Sequence, residues 1–140
     1  MRLSALVVNC AEIQREDFMK MLQGTRLAQF SFTEASSLSD GLAKVDPVKT
    51  DVIFIEWDMS EAIGLDFIRK VRMKQQRRIY IVAIITEDIM AKLEQAPDVG
   101  GADYFVLRPF TAKTLEQKLA SLIDRIAAAP KAAAGQGRAF

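Results

Sequence analysis

Apolar residues in this chain come in short β-branched runs separated by stretches whose apolar positions recur at helical spacing. Residues 3–8 (Leu-Ser-Ala-Leu-Val-Val) predict a strand, β1. Ile13, Phe18, Met21 and Leu22 then recur at helical spacing over 11–23, with Gly24 as a stop, predicting α1. Residues 27–35 carry the alternation Phe30-Ser-Phe32-Thr of a half-buried edge strand, β2. A short helix, α2, is expected over 37–45, ended by Asp46-Pro47. The run 52–56 reads as a buried strand, β3, and after a loop holding Gly64 a helix, α3, is expected over about 65–74. Residues 79–86 form the most strongly apolar run, β4. A helix over about 87–95, α4, must end before Pro97. Residues 104–107 give a last short strand, β5. Thr111 can cap a final helix, α5, whose Leu115, Leu119, Leu122, Ile123 and Ile126 form one apolar stripe.

Five strands alternating with five helices imply a parallel sheet covered on both faces by right-handed crossovers. The expected fold class is α/β: a flavodoxin-like doubly wound five-stranded sheet, (βα)5, in the order 2-1-3-4-5. From Ala127 the sequence turns to Ala, Gly and Pro without an apolar period, so a domain over 1–127 and a flexible tail over 128–140 are expected.

Composition narrows the chemistry. Nineteen basic and eighteen acidic residues nearly cancel, so no global field argues for nucleic acid or a membrane surface. With one cysteine and no histidine, a disulfide within the chain, a zinc site built on His and Cys, a Ser-His triad and a Cys-His pair are all excluded. No apolar stretch approaches the ~20 residues of a membrane helix, and the N-terminal run is short for a signal peptide core, so a cytoplasmic location is expected.

Chemistry concentrates where strands end, because ligands of open parallel sheets sit at the carboxyl ends of the strands. Glu56 closes β3, Asn9 and Cys10 follow β1, Thr86 closes β4 and Arg108 follows β5. Asn9-Cys10-Ala11-Glu12 is no glycine-rich phosphate cradle, which argues against a nucleotide- or flavin-binding module, the rival reading of this fold.

Four landmarks, taken together, resemble the receiver domain of two-component response regulators. They are Val7-Val8 ahead of Asn9-Cys10, the stretch from Asp51 through Glu56, Met59-Ser60 and Gly64, Thr86, and Gly101-Ala-Asp103-Tyr-Phe-Val-Leu-Arg108-Pro109-Phe110. The resemblance covers residues 3 to about 127. In that family two acids after β1 help bind magnesium and an aspartate ending β3 takes a phosphoryl group. A Thr and a Lys contact that group, and an aromatic on β5 reports the switch. The resemblance places Asn9 and Cys10 at the acid pair, Glu56 at the phosphoacceptor, Thr86 at the threonine, Arg108 at the lysine and Phe105 at the aromatic. Only the threonine is standard.

A neutral amide and a soft thiol in place of two carboxylates remove most of the attraction for magnesium, so its binding is expected to be weak or absent and no other cofactor is implied. Asp58 either turns toward the pocket as a partial rescue or stands at its rim facing solvent. Glu56 is a methylene longer than aspartate, displaced from the in-line geometry that phosphoryl transfer needs. Glu87 adds an acidic side chain that repels a phosphodonor. A planar guanidinium at 108 matches a carboxylate in two parallel hydrogen bonds. Glu56 and Arg108 therefore either form a metal-free ion pair, or Glu56 points to solvent and Arg108 caps its strand.

Cys10 reads as a reactive thiol or as a small buried hydrophobe, and Trp57 as a stacking surface or as packing. Six basic residues, Arg69, Lys70, Arg72, Lys74, Arg77 and Arg78, fall within ten positions, and form either a partner surface or a solvated helix face. The implied function is a receiver module, atypical and independent of phosphorylation, and not an enzyme. The competing reading within the family is a phosphorylatable receiver with unusual site residues. Its expected partner is a protein, a sensor kinase or an output protein, bound through the α4-β5-α5 face; a homodimer is compatible with the sequence and nucleic acid is not expected.

Overall fold

The computed structural model describes residues 1–56, 61–94 and 102–128, with 61–65 and 92–94 as backbone only. The elements are β1 Arg2–Val8, α1 Glu12–Gly24, β2 Gln29–Ala35, α2 Leu38–Lys44, β3 Val52–Glu56, α3 Glu61–Lys74, β4 Tyr80–Ile85, α4 Glu87–Glu94, β5 Tyr104–Leu107 and α5 Ala112–Ala128. The five strands form one parallel sheet in the order β2-β1-β3-β4-β5, the flavodoxin-like arrangement expected from the alternation. Trp57, Asp58, Met59, Ser60, Gly101 and the tail from 129 lie outside the described residues.

Hydrophobic burial explains which elements take the centre. Every residue of β3 and β4 is buried, because central strands of a doubly wound sheet are covered on both faces. Edge strand β2 alternates instead, with Phe30 and Phe32 stacked on the core side and Ser31 and Thr33 exposed. The sheet divides the core in two. One half gathers Phe18 and Leu22 of α1 with Leu115, Leu119, Leu122, Ile123 and Ile126 of α5. The other packs Phe67, Ile68 and Val71 of α3 against Ile53, Ile55, Ile81 and Ala83. At about 25 cal/mol per Å² of apolar surface, these two layers supply most of the folding drive.

Local signals set the helix ends. Ser37 caps α2 by accepting a hydrogen bond from the Asp40 N–H at 3.0 Å, and Thr111 caps α5 through the Thr114 N–H at 3.2 Å. Two expectations need correction. α3 begins at Glu61, a full turn earlier than the sequence pattern indicates, so Gly64 lies inside the helix and not in a loop. The penalty of about 1 kcal/mol for an interior glycine is outweighed by the burial of Phe67, Ile68 and Val71 further along the same helix. Ile13, taken as part of the α1 apolar stripe, is 74 % exposed, since the inward face of α1 is set by Phe18 and Leu22. No described helix is long and apolar enough to cross a membrane.

Candidate functional site

In a doubly wound sheet a crevice opens at the carboxyl ends of the strands where the winding direction reverses. Here that point lies between β1 and β3. A cavity of about 240 Å³ is lined there by Val8, Asn9, Cys10, Ser36, Ser37, Leu38 and Glu56. The sequence thus brings Asn9, Cys10 and Glu56 to one wall-lined opening.

Glu56 is the last residue of β3, and its side chain is only 8 % exposed. Arg108, just after β5, reaches it with a two-pronged contact: Nε donates to Oε2 at 2.8 Å and Nη2 to Oε1 at 2.7 Å. Two strand spacings separate β3 from β5, about 10 Å at about 4.8 Å each. Arg108 is fixed beside the intervening strand by its own N–H, which donates to the Ile85 carbonyl at 2.8 Å. A long acid and a long base are what closes that span. The guanidinium also lies over the Phe110 ring, 5.1 Å from its centroid, which orients the fork before the carboxylate is met. Of the two arrangements open to the sequence, the ion pair is the one formed.

The other pocket positions are committed locally. Asn9 is buried; its Oδ1 accepts the Ala11 N–H at 2.8 Å and its Nδ2 donates to Gln14 Oε1 at 3.2 Å. Arg15 donates through Nη1 to the Asn9 carbonyl and through Nε to Glu34 at 2.9 Å. Cys10 is exposed, which corrects its reading as a small buried hydrophobe: β1 has ended, and the chain is turning outward into α1. Thr86 is exposed, with its hydroxyl accepting the Ile89 N–H at 3.4 Å and its carbonyl accepting the Met90 N–H at 2.9 Å. Glu87 is exposed in the first turn of α4. Phe105 is half buried against the α3-side core. Asp58 lies outside the described residues.

A hard divalent cation takes oxygen ligands in tight octahedral geometry. Here both Glu56 oxygens are taken by Arg108, the Asn9 oxygen by a backbone N–H, and the third position offers a thiol. Among the described residues no three of His, Cys, Asp and Glu cluster as a metal site.

The basic run has a different destination from either reading open to the sequence. Arg77 donates to Asp51 Oδ1 at 2.7 Å and also to the Lys49 and Val48 carbonyls. Arg72 donates to Asp103 Oδ2 at 2.9 Å, and Arg78 reaches the other oxygen of the same carboxylate. Lys74 holds the Leu42 carbonyl at 2.9 Å, and Lys70 pairs with Asp66 at 3.0 Å. Arg69 is exposed. Most of the run makes hydrogen bonds or ion pairs within the molecule, while Arg69, Lys70 and Arg78 stay exposed. What sequence reading missed is the pair of acceptors, Asp51 and Asp103, each standing directly before a strand and each nearly buried. Their signal was available: an acid at a strand start, in a chain with an arginine cluster ahead of the neighbouring strand.

Comparison with known proteins adds the following. Residues 5–120 match the family described as the response regulator receiver domain. The chemotaxis protein CheY1 of Helicobacter pylori is 33 % identical over 116 residues, spanning 81 % of this chain and 91 % of that protein. The REC domain of AraT, a response regulator from Geobacillus stearothermophilus, is similar with a TM-score of 0.73 at 19 % identity, covering 91 % of this chain and 97 % of that one. A chain of the complex between the P1 domain of CheA3 and CheY6 from R. sphaeroides is similar with a TM-score of 0.64 at 21 % identity, covering 87 % and 97 %.

Proposed function

This chain belongs to the response regulator receiver domain family of two-component signal transduction, and within that family we propose an atypical member that works through protein contacts without accepting a phosphoryl group. The observation that carries the proposal is the fork from Arg108 onto Glu56. A carboxylate must offer a free oxygen in line with the transferred phosphorus, and misplacement by about 1 Å can lower the rate about 100-fold. Both Glu56 oxygens already face a guanidinium. Phosphoryl transfer also relies on cationic charge over the transferring oxygens, and the residues after β1 are poorly suited to supply it through a metal. Magnesium binding is accordingly weak or absent in this reading.

Its partner is a protein, a sensor kinase or an output protein. The CheY6 complex with a CheA3 P1 domain is the kind of association this fold supports in a relative. The surface we assign to it is that of α4, β5 and α5. Self-association through the same face is the alternative outcome of a binding assay. The internal use of Arg72, Arg77 and Arg78 supports a protein partner over nucleic acid, which would need those cations free for phosphates. The module acts in the cytoplasm, where such kinases present their phosphodonors, and is itself no enzyme.

The test is incubation with acetyl phosphate and magnesium, followed by intact mass measurement. The native chain should gain no phosphoryl adduct. A variant carrying Asn9→Asp, Cys10→Asp, Glu56→Asp and Arg108→Lys should gain one. An adduct mapped to Glu56 of the native chain would overturn the proposal.

A further inference from the structure

Strand β5 is four residues long, stands at the edge of the sheet and carries Phe105. An edge strand that short would ordinarily be among the first parts of the sheet to open. Here an arginine-carboxylate contact stands at each of its ends. Before it, Asp103 is held from three directions: Arg72 at 2.9 Å, Arg78, and the Ile81 N–H at 2.7 Å. After it, Arg108 forks onto Glu56 across the end of β4. The backbone agrees with the side chains at both points. Asp103 N–H donates to the Ile81 carbonyl at 2.8 Å, and Arg108 N–H to the Ile85 carbonyl at 2.8 Å.

We infer that these two contacts form a double pin that fixes β5 against β3 and β4, so that Phe105 and the α4-β5-α5 face keep one arrangement whatever stands in the crevice. The physical reason lies in where the anchors come from. Glu56 belongs to β3, whose residues are all buried, and Arg72 to α3, whose inner face is in the core. Neither anchor can follow β5 if the strand shifts. Sliding or peeling would leave a buried carboxylate uncompensated at one end or the other, which is among the more expensive changes a fold can suffer. An arginine fork resists such a shift better than a point charge, because two parallel hydrogen bonds fix orientation as well as distance. The inference rests on the proposed function only for its meaning, a receiver whose partner face is permanently set.

Amide hydrogen exchange on the full chain, read by NMR at residues 103, 105 and 108, tests it. In the native chain all three should exchange as slowly as neighbouring β4 amides, with or without acetyl phosphate and magnesium. Glu56→Gln should speed exchange at 108 at least tenfold and leave 103 unchanged; Asp103→Asn should do the reverse. The double variant should release 105 as well. Arg108→Lys, which keeps the charge but not the fork, should recover part of the protection lost in Arg108→Met. Fast exchange at 103 and 108 in the native chain overturns the pin, as does a folded variant of either end with unchanged exchange. If the native chain takes up a phosphoryl group while β5 stays protected, the pin stands and the proposed function falls. If it refuses the phosphoryl group while β5 exchanges freely, the reverse holds.

Discussion

The edge of the sheet where strands begin and the edge where they end use the same chemistry to different effect. At the entry edge Asp51 and Asp103 have side chains 4 % and 5 % exposed, and each combines an arginine with a backbone N–H, from Ser4 at 2.8 Å and Ile81 at 2.7 Å. Those backbone donors belong to neighbouring strands, so the carboxylates lace the sheet together. At the exit edge Glu56 is similarly buried and lines a cavity, but its described partner is the side chain of Arg108, which is 26 % exposed. An arginine-carboxylate pair therefore says little by itself about function. Its place relative to the strand ends matters, because Glu56 lines the cavity beside Asn9 and Cys10 at the exit edge.

The largest effect is expected from attacking the entry edge. Arg77→Ala leaves Asp51 buried with only part of its charge compensated and should destabilise the chain by about 2–4 kcal/mol in urea unfolding followed by circular dichroism. Asp51→Asn with Arg77→Met should recover much of that. A loss below about 0.5 kcal/mol in the single variant would erase the contrast between the two edges.

The exit pair should respond more mildly and more tellingly. Arg108→Met strands the Glu56 carboxylate and is expected to lower stability by about 1–3 kcal/mol, whereas Glu56→Met should cost less, since a partly exposed arginine can turn to water. Combining the two should return stability close to the native value, so that the coupling in a double-mutant cycle approaches the sum of the two single losses. Simple additivity would mean that the fork contributes nothing to the fold.

Smaller still is the exposed part of the basic run. Lys70→Ala removes an exposed pair with Asp66 and should change stability by less than about 0.5 kcal/mol, with any change fading in high salt. The same substitution pattern applied to Arg72 should not fade with salt, because Arg72 and Asp103 are largely shielded from it. Thermal unfolding at low and high sodium chloride separates the two.

The weakest expectation concerns acid. The Val48 and Lys49 N–H groups donate to the Asp46 carboxylate at 2.9 and 3.0 Å and hold its carboxyl below the usual aspartate range. A carboxyl whose folded value is depressed adds stability above the unfolded value, about pH 4, and loses it as pH falls through the folded value. Asp46→Ala should therefore lower stability slightly at neutral pH and leave it unchanged once pH is below the folded value, which flattens the acid limb of the stability profile, as read by urea midpoints between about pH 2 and 7.

The sequence by itself determined the order and type of all ten elements, because burial on two faces writes a continuous apolar run into β4 and burial on one face writes a 3.6-residue stripe into α5. It also determined which residues stand at the strand ends, since Glu56 and Arg108 sit at fixed distances from runs that had to be strands. Periodicity failed where a neighbour overruled it: Ile13 keeps helical spacing yet faces solvent, and Gly64 is carried into α3 by the packing that follows it. Only the tertiary structure decided how charges pair. Glu56 and Arg108 are 52 positions apart, and Arg72 and Asp103 are 31, so their meeting depends on the strand order that sets β3, β4 and β5 side by side. A charged side chain in sequence has many partners within reach of its valence. Burial removes the water that would otherwise serve as one of them, and leaves the partner that the sheet brings closest.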